Sequence, residues 1–336
     1  MKAKPLSLFA YYLFVLDLML IATAWGRQNG ASSKSDCIIR YVRLKEIASV
    51  GGDYIYGAFG LSCLPDGAIL VTDKLDYKIK KIDVGGNLIK EVGKKGKGYG
   101  EFSGPSAIAV GNQCIAVADF QSPRVQLFSF DLVYLKEFYA PGPIINLAYD
   151  MNGELWIGIL TYTKSESLLK VDENGTVIKG IQLKNITKDP FENLFNFTIL
   201  KEGTIVVVFA CQNIIEKWDT NGQFYEQKRI PGFPDKPARV QLHKGKDSFN
   251  DRSDRLVPNG SLFFKISSDA SDNIYILGED YSIVPQRDVF ILDRNGDLIG
   301  MMEMPQESAW IYIDSHNNLW SIESHRTQIY KYRILK

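Results

Sequence analysis

Three histidines, His243, His316 and His325, are the imidazoles available for metal ligation or proton transfer. His243 lies in an acid-rich stretch, "QLHKGKDSFNDRSD", that also supplies Asp247, Asn250, Asp251 and Asp254. Carboxylate and amide oxygens of this kind suit calcium, and imidazole suits zinc. The spacing matches no EF-hand loop, and no His-Glu-x-x-His pair, Gly-x-Ser-x-Gly elbow or Walker loop is present. No metal-ligand set is therefore assigned and no cofactor is predicted, calcium or zinc being the ions those groups would take. The candidate ligand-contact residues are Arg239, just ahead of this stretch, and His243, Asp247 and Asp251 within it, together with Trp310, an aromatic suited to a partly buried contact.

The elements that must position these residues come from an internal repeat. "YGAF" at Tyr56–Phe59 recurs as "YGEF" at Tyr99–Phe102. Each copy leads into an apolar run, a turn and a second apolar run ending in Asp: "LSCLPDGAILVTD" and "PSAIAVGNQCIAVAD". A polar loop and a third run follow ("KIKKID", "RVQLFSF"), then a turn and a fourth ("NLIKEV", "VYLKEF"). The order returns in "INLAYDMNGELWIGI", "FTILKEGTIVVVFA", "FFKISSDASDNIYILGE" and "WIYIDSHNNLWSIES". Turns at Asp66-Gly67, Asn152-Gly153, Asn174-Gly175, Asn221-Gly222 and Asn295-Gly296 are hairpin signals between alternating runs.

Four short antiparallel strands at a period of about 40–45 residues predict the blades of a β-propeller. The sixth copy reaches its third strand at "QIYKYRIL", which would leave a pairing edge exposed. "CIIRYVRLKEIA", Cys37 to Ala48, is a lone β-rich run able to fill that place. The expected fold is all-β, a six-bladed β-propeller of four-stranded antiparallel blades over 37–336, closed by an N-terminal strand in the last blade. The glycines of "GKGYGEFSGPSAIAV" permit the tight passage between blades, Phe102 is expected between them, and Ala107 and Ala109 suit a crowded axis. In this frame the stretch from Ile230 to Gly260 is an insertion without a strand pattern, between blades four and five. Long loops of that kind are often functional, so it is the expected wall of a site.

With these residues in place, blade two resembles an NHL repeat. "GKGYGEFSGPSAIAV" followed by "IAVADFQSPRVQLFSF" matches that family's glycines, Phe, Pro, strand, Asp and Arg-hydrophobic-x-hydrophobic-Phe. The match places Asp119 and Arg124 at the family's Asp and Arg, and implies that they pair across the loop. The family's Asn-His-Leu letters are replaced by Gln121-Ser122-Pro123. Blade one keeps Asp73 and offers Lys78 where Arg is expected. The chain is similar to exported six-bladed propellers of bacteria. Amidating lyases of the family place zinc in the propeller channel through histidines of separate blades, a pattern that His316 and His325, in the loops of one blade, do not match.

Lys2 and Lys4 precede a mostly apolar run from Leu6 to Trp25 with a small-residue exit at Ala22-Thr23-Ala24. Residues 1–24 read as a signal peptide, or as an uncleaved anchor spanning 6–25, so the expected location is periplasmic or secreted. Membrane attachment is expected only if that segment stays uncleaved. Lysines plus arginines equal aspartates plus glutamates at 39 each, and no basic cluster marks a nucleic-acid partner. Cys63, Cys114 and Cys211 sit in apolar runs and read as buried thiols. These features together predict a binding or interaction module for a protein, peptide or glycan ligand. The alternative is a metal-dependent lyase or hydrolase with its site at the channel mouth.

Overall fold

The structure, a computed structural model, describes residues 40–161, 165–189, 191–231, 233–235, 239–242, 255–258, 262–278 and 287–335. The segment 1–39, with its signal-like run and Cys37, lies outside the described residues. Blade one consists of β3 (Ala58–Cys63), β4 (Ile69–Asp73), β5 (Lys78–Ile82) and β6 (Leu88–Val92). Blade two is β7 (Pro105–Val110), β8 (Ile115–Asp119), β9 (Arg124–Phe128) and β10 (Tyr134–Tyr139). Blade three is β11 (Ile144–Tyr149), β12 (Leu155–Ile159), β13 (Leu168–Val171) and β14 (Val177–Ile181). Blade four is β15 (Phe195–Ile199), β16 (Thr204–Phe209), β17 (Ile215–Asp219) and β18 (Phe224–Lys228). Blade five is β21 (Phe263–Ser268), β22 (Ile274–Gly278), β23 (Asp288–Leu292) and β24 (Leu298–Glu303). Blade six is β25 (Ser308–Ile313), β26 (Asn318–Glu323), β27 (Gln328–Leu335) and, as its outer strand, β2 (Arg43–Gly51).

The chain is thus a six-bladed β-propeller of four-stranded antiparallel sheets, and none of its described elements is a helix. No helix among the described residues is long and apolar enough to cross a membrane. The expected closure is present: β2 runs antiparallel to β27, from Arg43 opposite Leu335 to Gly51 opposite Gln328. Ahead of it, β1 (Arg40–Tyr41) lies parallel to β24 and adds a fifth strand to blade five.

The apolar core is divided among the blade interfaces. Phe102 packs with Leu70 and Ile79 of blade one and with Val117 and Phe128 of blade two, as its position in the repeat implies. Full burial of such a side chain contributes about 1.5–3 kcal/mol. Ala107 and Ala109 belong to the interface with blade three, beside Leu147 and Ile157. Trp156 joins blade three to four, Ile276 joins four to five, Ile311 joins five to six, and Trp320 joins six to one. The second strands β4, β8, β12, β16 and β22 are buried along their whole length, since each is covered by a neighbour on both faces.

The turns carry a repeated polar device. Asp150 Oδ1 accepts from the backbone N–H groups of Asn152 and Glu154 at 2.9 and 3.0 Å, while Oδ2 accepts from Trp156 Nε1 at 3.1 Å. Asp269 does the same for Ser271, Asn273 and the Tyr275 hydroxyl. Asp314 does it for His316, Asn318 and Trp320. One carboxylate therefore shapes the turn and anchors the aromatic ring of the next strand. At Gly175 (φ 80°) a Cβ would meet Phe138 Cγ at 2.2 Å, so that hairpin requires glycine.

Three expectations are corrected. The "YGAF" and "YGEF" letters are not equivalent positions, because β3 begins at Ala58 and β7 at Pro105, beyond the second set. The true equivalent of Ser103, whose N–H donates to Asp119 Oδ2, is Tyr56, whose N–H donates to Asp73 Oδ2. In blade one the buried partner of Asp73 is Lys80 (Nζ to Oδ2, 2.8 Å), whereas Lys78 stays at the surface with Asp76 and Glu91. Lys78 does stand opposite Asp73 in the ladder, but Lys80, two residues on, is the one that turns inward. Finally, the insertion contains a hairpin, β19 (Arg239–Leu242) paired with β20 (Arg255–Pro258).

The expected pairing of Asp119 with Arg124 is present at 3.1 Å, and both side chains are buried. Arg124 also donates to the carbonyl oxygens of Lys97, Gly98 and Glu101, so the glycine-rich loop is folded around the guanidinium. Removing one member of a buried pair leaves the other charge uncompensated. Arg124→Met is expected to cost about 3–5 kcal/mol in urea unfolding, and Asp119→Asn added to it is expected to restore part of that loss. A cost below about 1 kcal/mol, the range of exposed pairs, would show that the pair is not what holds the loop.

Candidate functional site

Blade geometry brings the inner strands around one axis, and most of them carry an irregularity near their first residue. The ladder shifts between Ala58 and Gly60, Pro105 and Ile108, Ile144 and Asn146, Phe263 and Lys265, and Ser308 and Trp310. Bulges of this kind re-aim side chains. They leave Gly60, Asn146, Lys265 and Trp310 opposite Thr72, Gly158, Leu277 and Ile322, with Asn196 opposite Val208 in blade four. Each of those opposing residues is next to last in its strand. The inner-strand positions therefore form one tier.

From this tier a chain of contacts joins all six blades. Lys265 Nζ donates to Asn146 Oδ1 at 3.0 Å and to Asn196 Oδ1 at 3.4 Å, reaching from blade five to blades three and four. The same nitrogen lies 3.6 Å from the centre of the Trp310 ring in blade six. Trp310 neighbours Phe59 of blade one at 6.5 Å, and Phe59 meets Phe120 of blade two edge-on at 6.0 Å. Two more cations cover these rings: Lys74 lies 3.7 Å from the centre of Phe120, and the Arg326 guanidinium 4.6 Å from that of Phe59. Lys74, Phe120 and Arg326 sit in the loops that follow β4, β8 and β26, which places the cluster at that end of the axis.

The electrostatics of the cluster are unusual. Lys265 is 5% exposed, and burial holds its amine well below the ordinary lysine range. Burial pushes the Arg326 guanidinium down to about 10, so it stays charged at neutral pH. Arg326 donates to the Ala58 carbonyl at 3.1 Å. Among the described residues, Lys265 and Arg326 meet amide oxygens, a carbonyl and aromatic faces, with no carboxylate at ion-pair distance. Asn146 Nδ2 donates to the Phe197 carbonyl at 3.1 Å, which fixes its Oδ1 toward the lysine. Trp310 Nε1 is buried and has no hydrogen-bond partner among the described residues.

Of the residues proposed from sequence, Trp310 belongs to this cluster. Arg239 lies in β19, and its side chain is outside the described residues, as are His243, Asp247 and Asp251. His316 is an exposed turn residue whose N–H serves Asp314, and His325 is exposed in the loop before β27. Among the described residues no three His, Cys, Asp or Glu side chains converge as a metal site. Cys63 and Cys114 carry free thiols and are partly buried, and Cys211 is buried.

Sequence reading passed over Lys265, Asn146, Asn196, Lys74 and Arg326. A signal was present, since "FFKIS", "IINLA" and "FNFTI" each set one polar residue inside an apolar inner strand.

No protein-family model matches the chain, and no curated protein matches it in sequence. Solved structures share its fold. A virginiamycin B lyase from Staphylococcus aureus superposes with a TM-score of 0.56 at 12% identity, over 88% of this chain and 100% of the lyase. An exported protein from Bacteroides fragilis gives 0.56 at 12% identity, over 87% and 96% of the two chains. The hydrazine synthase of Kuenenia stuttgartiensis gives 0.55 at 12% identity, over 85% and 97%. At such identities the likeness is one of fold.

The depressed Lys265 amine sets a sign for stability against pH. Below the ordinary lysine value of about 10.4 the unfolded chain binds the proton more readily than the folded one, so folding carries a penalty. The penalty fades as pH rises toward that value. Lys265→Met is expected to stabilise the protein by about 1–4 kcal/mol near pH 7, with the gain shrinking toward pH 10. Urea midpoints measured across this range test it, and a gain that grows with pH would contradict the assignment.

Proposed function

We propose that the chain is an exported NHL-like propeller acting as a binding module for a protein, peptide or glycan ligand that presents an acidic group. The observation that carries this reading is the buried Lys265 amine and the half-buried Arg326 guanidinium at the axis, which among the described residues meet neutral partners alone. A ligand carboxylate would pair with the Arg326 guanidinium and favour the protonated form of the Lys265 amine, in a site largely removed from water, where such pairing is strongest. The rings of Phe59, Phe120 and Trp310 beside those cations suit the apolar body of the same ligand. Export is supported by Lys2, Lys4 and the Leu6–Trp25 run, together with the exported Bacteroides fragilis neighbour. The NHL reading rests on the blade-two motif, whose Asp119 and Arg124 hold the glycine-rich loop.

Panels of acidic peptides and of uronic-acid oligosaccharides, with neutral analogues of each, are the direct test. For the best binder, calorimetric titration is expected to show at least tenfold weaker affinity for Trp310→Ala and for Lys74→Ala, about 1.4 kcal/mol each. The neutral analogue is expected to bind more weakly still. Unchanged affinity in both variants would remove the axis as the ligand site.

A further inference from the structure

The most unusual single group at the axis is the Lys265 amine. We infer that Lys265 is a covalent capture site for a small anionic aldehyde or ketone, which it holds as an iminium. This inference rests on reading the axis as the ligand site. It adds a reaction at one atom.

Three observations carry it. First, the amine is placed and oriented. Asn146 and Asn196 offer two amide oxygens to its N–H groups, and the Phe197 carbonyl fixes the amide of Asn146. In its neutral form, which burial favours, an amine donating twice in this way keeps its lone pair for a carbonyl carbon. Second, the cluster holds a donor with no acceptor. Trp310 Nε1 is buried and unpartnered among the described residues, and the ring that carries it lies 3.6 Å from the amine. A carbonyl oxygen is what such a donor lacks, and the hydrogen bond would polarise the carbonyl toward attack. Third, the surroundings suit the product. An iminium carries a positive charge on nitrogen, and an indole face with amide oxygens stabilises a cation without quenching it. The absence of a carboxylate partner among the described residues matters here as well, because a carboxylate would hold the amine protonated and unreactive.

The step balances without a cofactor. The amine lone pair forms a bond to the carbonyl carbon while the carbonyl π pair moves to oxygen, giving a carbinolamine after proton transfer. Protonation of its oxygen and loss of water then leave the iminium. One proton is taken up and one water released for each iminium formed. The Arg326 guanidinium beside the same rings favours substrates that bear a negative charge.

The test uses the whole chain with glyoxylate, at limiting concentration and pH 7.5, in the presence of cyanoborohydride, followed by peptide mapping. Lys265 is expected to gain the carboxymethyl group at least tenfold faster than the exposed Lys90 and Lys201. Trp310→Phe keeps a ring over the amine and removes the Nε1 donor, and is expected to slow trapping about tenfold. Labelling of Lys265 no faster than Lys90 or Lys201 would overturn the inference, and undiminished trapping in Trp310→Phe would overturn the role of Nε1. The two readings separate cleanly. Trapping that persists where acidic ligands do not bind removes the binding module alone, and acidic-ligand binding with an inert Lys265 removes this inference alone.

Discussion

Everything at the axis depends on one seam, the pairing of β2 with β27. An open ring would leave two blade edges unpaired and would let blades six and one move apart. The seam also places part of the site. A Cβ on Gly51, the last residue of β2, would meet the Thr327 carbonyl oxygen at 2.3 Å, so the closing strand presses against the loop that carries Arg326. From the other side, the Ala58 N–H donates to the Arg326 carbonyl at 2.8 Å. The loop is thus clamped between the closing strand and the first inner strand. Closure and the position of a cation at the axis are one structural event.

The molecule uses buried cations in two ways. Arg124 and Lys80 are paired with Asp119 and Asp73, and each also donates to backbone carbonyls of the loop that precedes its blade. Those cations hold loops, and their charges are cancelled where they stand. Lys265 is about as deeply buried and Arg326 half-buried, and among the described residues both face only neutral groups. A buried charge compensated by dipoles alone costs several kcal/mol more than one paired with a carboxylate. Among the described residues the fold pairs its other buried cations with carboxylates and leaves the Lys265 amine without one, which is the physical mark of a site.

The propeller was legible because its evidence is repetitive. Turn letters such as Asn174-Gly175, alternating runs and the lone β-rich run before blade one all had to agree, and they did. What was misread was local. "YGAF" and "YGEF" are a coincidence of letters, and the count from Asp73 to Lys78 ignored that i and i+2 share a face, so that Lys80 was equally placed to turn inward. The axis was harder. Trp310 could be singled out by type, but Lys265 beside it, and the Asn146 and Asn196 that hold Lys265, come from three other blades, and no spacing along the chain records a meeting across the axis. The bulges that set them on one tier leave no distinct letter pattern either.

The tryptophans allow a comparison within the same fold. Trp156, Trp218 and Trp320 each donate Nε1 to a carboxylate, of Asp150, Glu216 and Asp314 respectively. Two of those acids precede the ring by six residues and shape the turn as well, so the sequence supplies the partner with the aromatic. Trp310 is the one described tryptophan whose Nε1 is buried without a partner. An unmet buried donor costs about 1–3 kcal/mol, and the chain shows three times over that it has a local means of avoiding that cost. The exception stands on an inner strand, at a bulge, with an amine against its face. Among the described tryptophans the one unmet indole donor therefore stands at the axis, beside the amine of Lys265.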